Sequence, residues 1–120
     1  TTLFRSAKTS KNLEINTARA AANSRTFPHD GHNFACDALS RSAIDGINGY
    51  VALNGDFPAQ FPGVWKTVAN GYYPLPDIEV WKAFYAAMVA TGAANFAHAQ
   101  ALKARLAAAT TIEEVEAISW

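Results

Sequence analysis

The sequence predicts an α+β fold: a small antiparallel sheet from two β-hairpins, packed against three or four helices, one of them long. Three observations carry this. Asp30-Gly31 lies between Phe27 and Phe34, and Asn70-Gly71 lies between WKTV and YYPL. Such pairs favour hairpin turns whose central residues take positive φ. Over residues 81–106, apolar residues recur every three or four positions, the period of one long helix. Residues 3–24 and 38–53 carry the same period in shorter form.

The first helix rests on Phe4, Ala7, Lys11, Ile15, Ala18 and Ala22, a face thin in large side chains. Asn23 and Ser24 are poor helix formers and end it. In the first hairpin Asp30 and Gly31 form the tip. Phe27 and Phe34 are set to meet across the ladder, and Pro28 confines its arm to an edge. Asp37 or Ser40 caps the second helix, whose buried stripe is Ile44, Ile47 and Val51, with Tyr50 beside it. Gly46 and Gly49 lie inside that helix and cost it about 1 kcal/mol each against alanine. Close approach of a neighbouring element is the expected reason.

A loop at residues 54–63 is expected to be pinned to the core by Phe57 and Phe61. Residues 64–68 and 72–75 form the second hairpin, turning at Asn70-Gly71. The long helix starts after Asp77, a suitable N-cap, and Thr91-Gly92 is its one weak point. Thr110 and Thr111 offer capping boxes with Glu113 and Glu114 for a last helix at 112–119. Trp65, Trp81, Phe84 and Phe96 are assigned to the core, while Asp37, Asp77 and Thr111 hold helix starts. Tyr72 and Tyr73 point to opposite faces of one strand, so one of them is expected at the surface. With Trp120 they are the candidate interface residues. The expected division is an N-terminal helix at 1–24, suited to connect to an upstream region, and a compact α+β domain at 25–120.

Ten basic and ten acidic residues give a formal net charge of zero, which argues against a nucleic-acid binder. Arg5, Lys8 and Lys11 are the only basic cluster and read as a solvated helix face. No apolar run is long enough to insert in a membrane. A single cysteine, Cys36, excludes an internal disulfide.

His29, His32 and Cys36 invite a metal reading, but a structural zinc site needs about four ligands, usually in tight pairs. The histidines flank a tight turn, where exposed polar side chains belong. Cys36 reads as a small buried apolar group. Only His98 could reach Cys36 from another element as a base, and a histidine on a helix surface explains it better. Asp37 and Asp45 make no acid–base pair, and no phosphate-binding loop is present. The sequence calls for no cofactor and no enzyme.

Several pieces together resemble the phage and prophage domain of unknown function numbered 4376: Ile15-Asn16 with Arg19, residues 27–37, Ile44 with Gly46, residues 65–70, and the closing residues 102–120. Asp37 matches that family's helix-start aspartate, whereas Ala69 stands where the family often has an acidic residue. The family occurs alone or at the C-terminal end of tail-associated proteins, some described as tail fibre assembly proteins, and supplies no catalytic residues to carry over. The resemblance implies a non-catalytic structural or accessory module that docks protein in the tail, baseplate or fibre. Its partners would be other phage tail proteins or a second copy of itself. It would lie in the virion tail, or in the host cytoplasm during assembly. The alternatives are a tail fibre assembly chaperone absent from the mature virion and a small hydrolase directed at the host surface.

The metal reading has a direct test. Treatment with a chelator such as EDTA is expected to leave the melting temperature unchanged, and a large drop would restore the His29/His32/Cys36 site.

Overall fold

A computed structural model describes residues 1–120. The elements run α1 (Thr2–Asn23), β1 (Thr26–His29), β2 (His32–Ala35), α2 (Ala38–Asn54), β3 (Val64–Lys66), β4 (Tyr72–Pro74), α3 (Ile78–Ala108) and α4 (Ile112–Glu116). The fold is therefore two antiparallel hairpins with four helices, and α3 is the long one at 31 residues, about 46 Å. Contacts group the chain into two compact units, Ser24–Thr91 and Thr1–Asn23 with Gly92–Trp120. α3 contributes to both, and the joint falls at Thr91-Gly92.

In the unit of residues 24–91, the first hairpin turns on Asp30 (φ 50°) and Gly31 (φ 76°), both left-handed, with His29 opposite His32. Phe27 pairs with Phe34 across the ladder, and their rings stack with centroids 5.4 Å apart. The second hairpin is shorter than its sequence suggests: Val64 pairs with Pro74, Trp65 with Tyr73 and Lys66 with Tyr72. The turn does not sit on Asn70-Gly71 alone. The buried Thr67 closes a wider loop, its N–H donating to the Gly71 carbonyl at 2.9 Å and its Oγ1 accepting from the Gly71 N–H at 3.0 Å. Asn70 takes the left-handed conformation (φ 66°), while a Cβ on Gly71 would lie 3.3 Å from Thr67 Oγ1. Gly71 is there for space, not for positive φ. Each hairpin is its own two-stranded ladder, and one backbone bond, Val68 N–H to the Asn33 carbonyl, links them.

α3 fills this unit from one side. Trp81 and Phe84 are fully buried beside Phe27, Phe34, Ile44 and Leu75. The Phe84 ring has the rings of Phe27, Phe34, Trp65, Tyr73 and Trp81 at 4.9–6.5 Å, within the range for favourable aromatic pairs. Phe57 and Phe61 stack at 4.4 Å and both lie nearly perpendicular to the Trp81 ring at 6.1 and 5.8 Å, which anchors the 54–63 loop. Trp65 is only partly buried, against the same core.

In the other unit, Ile15 of α1 packs with Ala99, Leu102 and Leu106 of α3 and with Val115 and Ile118. Thr111 caps α4 by accepting from the Glu114 N–H at 3.1 Å, and Glu114 returns a bond to the Thr110 N–H at 2.9 Å. α4 stops at Glu116, short of the expected residue 119. Phe96 needs correction as a core residue: it is 47% exposed. The face of α3 that meets α1 runs through Ala99, Leu102 and Leu106, and Phe96 lies at its margin under the Arg19 guanidinium, 4.8 Å from ring centre to Cζ. Lys8 and Lys11 are not merely solvated either. Lys8 Nζ donates to the Ala107 carbonyl at 3.3 Å and Lys11 Nζ to the Ile118 carbonyl at 2.8 Å. The first of these satisfies the last turn of α3, where a cation also suits the helix dipole.

The expected close approach at Gly46 and Gly49 is absent, because no atom lies within 4 Å of a Cβ built on either residue.

Two stability outcomes follow in urea melts. Phe84→Ala is expected to cost about 3–5 kcal/mol, and Trp65→Ala less, since its indole is partly exposed. Gly46→Ala and Gly49→Ala are each expected to add about 0.5–1 kcal/mol, because alanine gains helix propensity and meets nothing.

Candidate interaction site

The side chains that could carry chemistry are engaged in holding the fold. Asp37 caps α2, accepting from Ser40, whose hydroxyl holds the carboxyl below its ordinary range. Asp77 Oδ1 accepts from the Val80 N–H at 2.9 Å at the start of α3. Asp30 accepts from the Tyr73 hydroxyl at 2.9 Å, and Asp45 from the Tyr85 hydroxyl at 2.9 Å. No three His, Cys, Asp or Glu side chains gather where they could hold a metal ion. His29 and His32 both pack on the Tyr73 ring, with centroids 5.6 Å away, one from each side of the hairpin tip. Cys36 is buried and accepts from Arg41 Nη2 at 3.5 Å. His98 is exposed and sets its ring 4.5 Å from that of Trp120.

An open pocket of about 450 Å³ lies beside the hairpin tip, lined by His29, Asp30, Tyr73, Glu79, Val80 and Ala83. Its polar groups do not converge on a common point free for a ligand, since Asp30 and Tyr73 are bonded to each other. This is a latch between the tip of one hairpin and a strand of the other.

The candidate interface residues differ among themselves. Tyr72 is 68% exposed, with its ring away from the core. Tyr73, on the opposite face, is half-buried over Phe84 and committed to Asp30. Trp120 is 39% exposed, its ring nearly perpendicular to that of His98.

One exposed apolar row was not singled out from the sequence. On α2, Leu39 is 79% and Leu53 88% exposed, with the part-exposed Tyr50 between them. Ala43 and Gly46 complete the row, also exposed. The spacing of these residues was a usable signal, but the neighbouring stripe of Ile44, Ile47 and Val51 already accounted for the helix.

The latch gives a pH-dependent outcome. The Tyr73 phenol is pushed above its ordinary 10.0, first by burial and then by the Asp30 carboxylate. Its contribution is thus complete below the unfolded value and is lost as pH rises through the higher folded value. Tyr73→Phe is expected to lower the urea midpoint at neutral pH and to make its fall at alkaline pH shallower. Tyr85, raised in the same direction by its bond to Asp45, keeps the remainder of that fall.

Residues 6–119 match the family described as Domain of unknown function (DUF4376). Comparison with curated proteins finds no match, and neither does comparison with solved structures. With nearly the whole chain covered, from the first helix through the closing residues after α4, this protein belongs to the DUF4376 family.

Proposed function

We propose that this chain is a non-catalytic structural or accessory module of a phage tail, docking other tail proteins or a second copy of itself. The observation that carries the docking part is an exposed row along α2, Leu39, Ala43, Gly46, Tyr50 and Leu53, none of them charged. Surface helices ordinarily turn a polar face to water, and an extended apolar face marks an interaction surface. The zero net charge favours a protein partner over a polyanion. The resemblance of the closing residues to tail-associated proteins supplies the setting. The engaged carboxylates argue in the same direction, because Asp30, Asp37, Asp45 and Asp77 each serve the fold.

The test is light scattering on a sizing column, with the purified chain alone and mixed with the tail proteins encoded beside it. Self-association or a co-eluting complex is expected. A strictly monomeric chain that binds none of them would sink the docking role. Mass spectrometry of purified virions then separates a resident component, present at fixed stoichiometry, from an assembly chaperone that leaves.

A further inference from the structure

α2 buries one apolar row and leaves a second apolar row exposed. Its buried side carries Ile44 and Val51 with Ile47, beside Arg41 bonded to Cys36 Sγ at 3.5 Å and Asn48 to Trp81 Nε1 at 3.1 Å, while the exposed Asp45 meets the Tyr85 hydroxyl at 2.9 Å. The outer row is Leu39, Ala43, Gly46, Tyr50 and Leu53, spaced four, three, four and three residues apart. That is the spacing of a helix–helix seam. Gly46, at its centre, costs helix stability, yet nothing in the chain lies within 4 Å of where its Cβ would be. The close backbone approach that glycine permits is therefore not used within the chain.

We propose that this row pairs with the same row of a second copy, antiparallel, about a twofold axis at Gly46. The inference rests on the docking reading and names its partner. The row is self-complementary about that residue. Leu39 lies seven positions before it and Leu53 seven after, so each meets the other's counterpart. Ala43, three before, faces Tyr50 of the second copy, four after, which sets small against large. Gly46 faces itself and lets the axes approach. A parallel pairing would oppose Tyr50 to Tyr50 and leave a gap at Ala43. The row's lack of charge favours a like partner: two copies bring no repulsion together, and a charged partner finds nothing to grip. Such an isologous contact closes as a dimer.

Area sets its strength. Seventeen residues make a strip about 25 Å long and about 10–12 Å wide, on the order of 300 Å² per copy. Stable interfaces cover roughly 800 Å² per partner. The pairing is thus a weak, concentration-dependent dimer that gains when an assembly holds copies near one another.

Sedimentation of the full chain over a wide concentration range tests this. Wild type is expected to move from monomer toward dimer. Gly46→Glu meets no atom and improves helix propensity, so it keeps or raises the melting temperature while weakening association by about tenfold or more through like charges on the axis. Gly46→Cys is expected to form a disulfide-linked dimer under mild oxidation far faster than Lys66→Cys, and the buried Cys36 leaves that readout clean. A dimer untouched by Gly46→Glu, or equal cross-linking from Lys66→Cys, overturns the α2 pairing and leaves docking in place. A wild-type chain that stays monomeric but binds a tail protein also overturns the pairing alone. One that does neither overturns the docking reading as well.

Discussion

Phe84 is the contact on which the unit of residues 24–91 depends. Neither hairpin is long enough to stand alone: the first has four residues per strand and the second three. Isolated hairpins of that size are marginal in water. What makes them a structure is a helix that presents one large ring to both at once. Phe84 meets Phe27 and Phe34 of the first hairpin and Trp65 and Tyr73 of the second. The remaining ties are directional. Tyr73 reaches Asp30 at the opposite hairpin's tip, and the Val68 N–H reaches Asn33. Ring packing supplies the burial, and these two bonds fix how the hairpins are set on it.

The unit of α1, α4 and the second half of α3 works on another principle. It has no ring in its buried core; Ile15, Leu102, Leu106, Val115 and Ile118 do the filling, with Ala99 and Ala109 leaving room for close approach. Small side chains bury little area, and each buried methylene is worth only about 0.8 kcal/mol. The unit adds polar ties that satisfy backbone groups at its helix ends, from Lys8, Lys11 and the Thr111–Glu114 cap. Asn95 Nδ2 donating to Asn23 Oδ1 at 2.8 Å closes the other end of α1. One helix, α3, therefore serves two kinds of core, and its apolar stripe cannot be read as one continuous row.

That division explains what could and could not be read from the sequence. Local chemistry was legible. Asp30-Gly31 gives its turn because positive φ is a property of those two residues, and Thr111 caps α4 because its partner is three residues away. Non-local chemistry was not. Asn70-Gly71 carries the same turn signal, yet the Thr67 hydroxyl offers Gly71 a competing bond and the loop opens around it. Phe96 fits the three-and-four period of α3, but the face meeting α1 passes beside it. The reach of Lys8 and Lys11 depends on carbonyls about a hundred positions later. On α2 the stripe of Ile44, Ile47 and Val51 was legible as the buried one, but the row of Leu39, Tyr50 and Leu53 beside it was not legible as an exposed apolar surface.

The polar bonds of α2 answer to demands set by α3. Trp81 is fully buried and its indole N–H needs an acceptor, so the helix facing it must offer one, and Asn48 does. The Tyr85 hydroxyl imposes a similar demand, met by Asp45. α2 thus supplies α3 with polar partners beside the buried Ile44 and Val51. Asp45 is exposed where it does this, whereas the row of Leu39, Ala43, Gly46, Tyr50 and Leu53 carries no charge. Leu39 and Leu53 stand at its two ends, with Ala43, Gly46 and Tyr50 between. In the proposed antiparallel pairing the small Ala43 of one copy takes the Tyr50 of the other, so the low stretch of each row is filled by a ring of its partner.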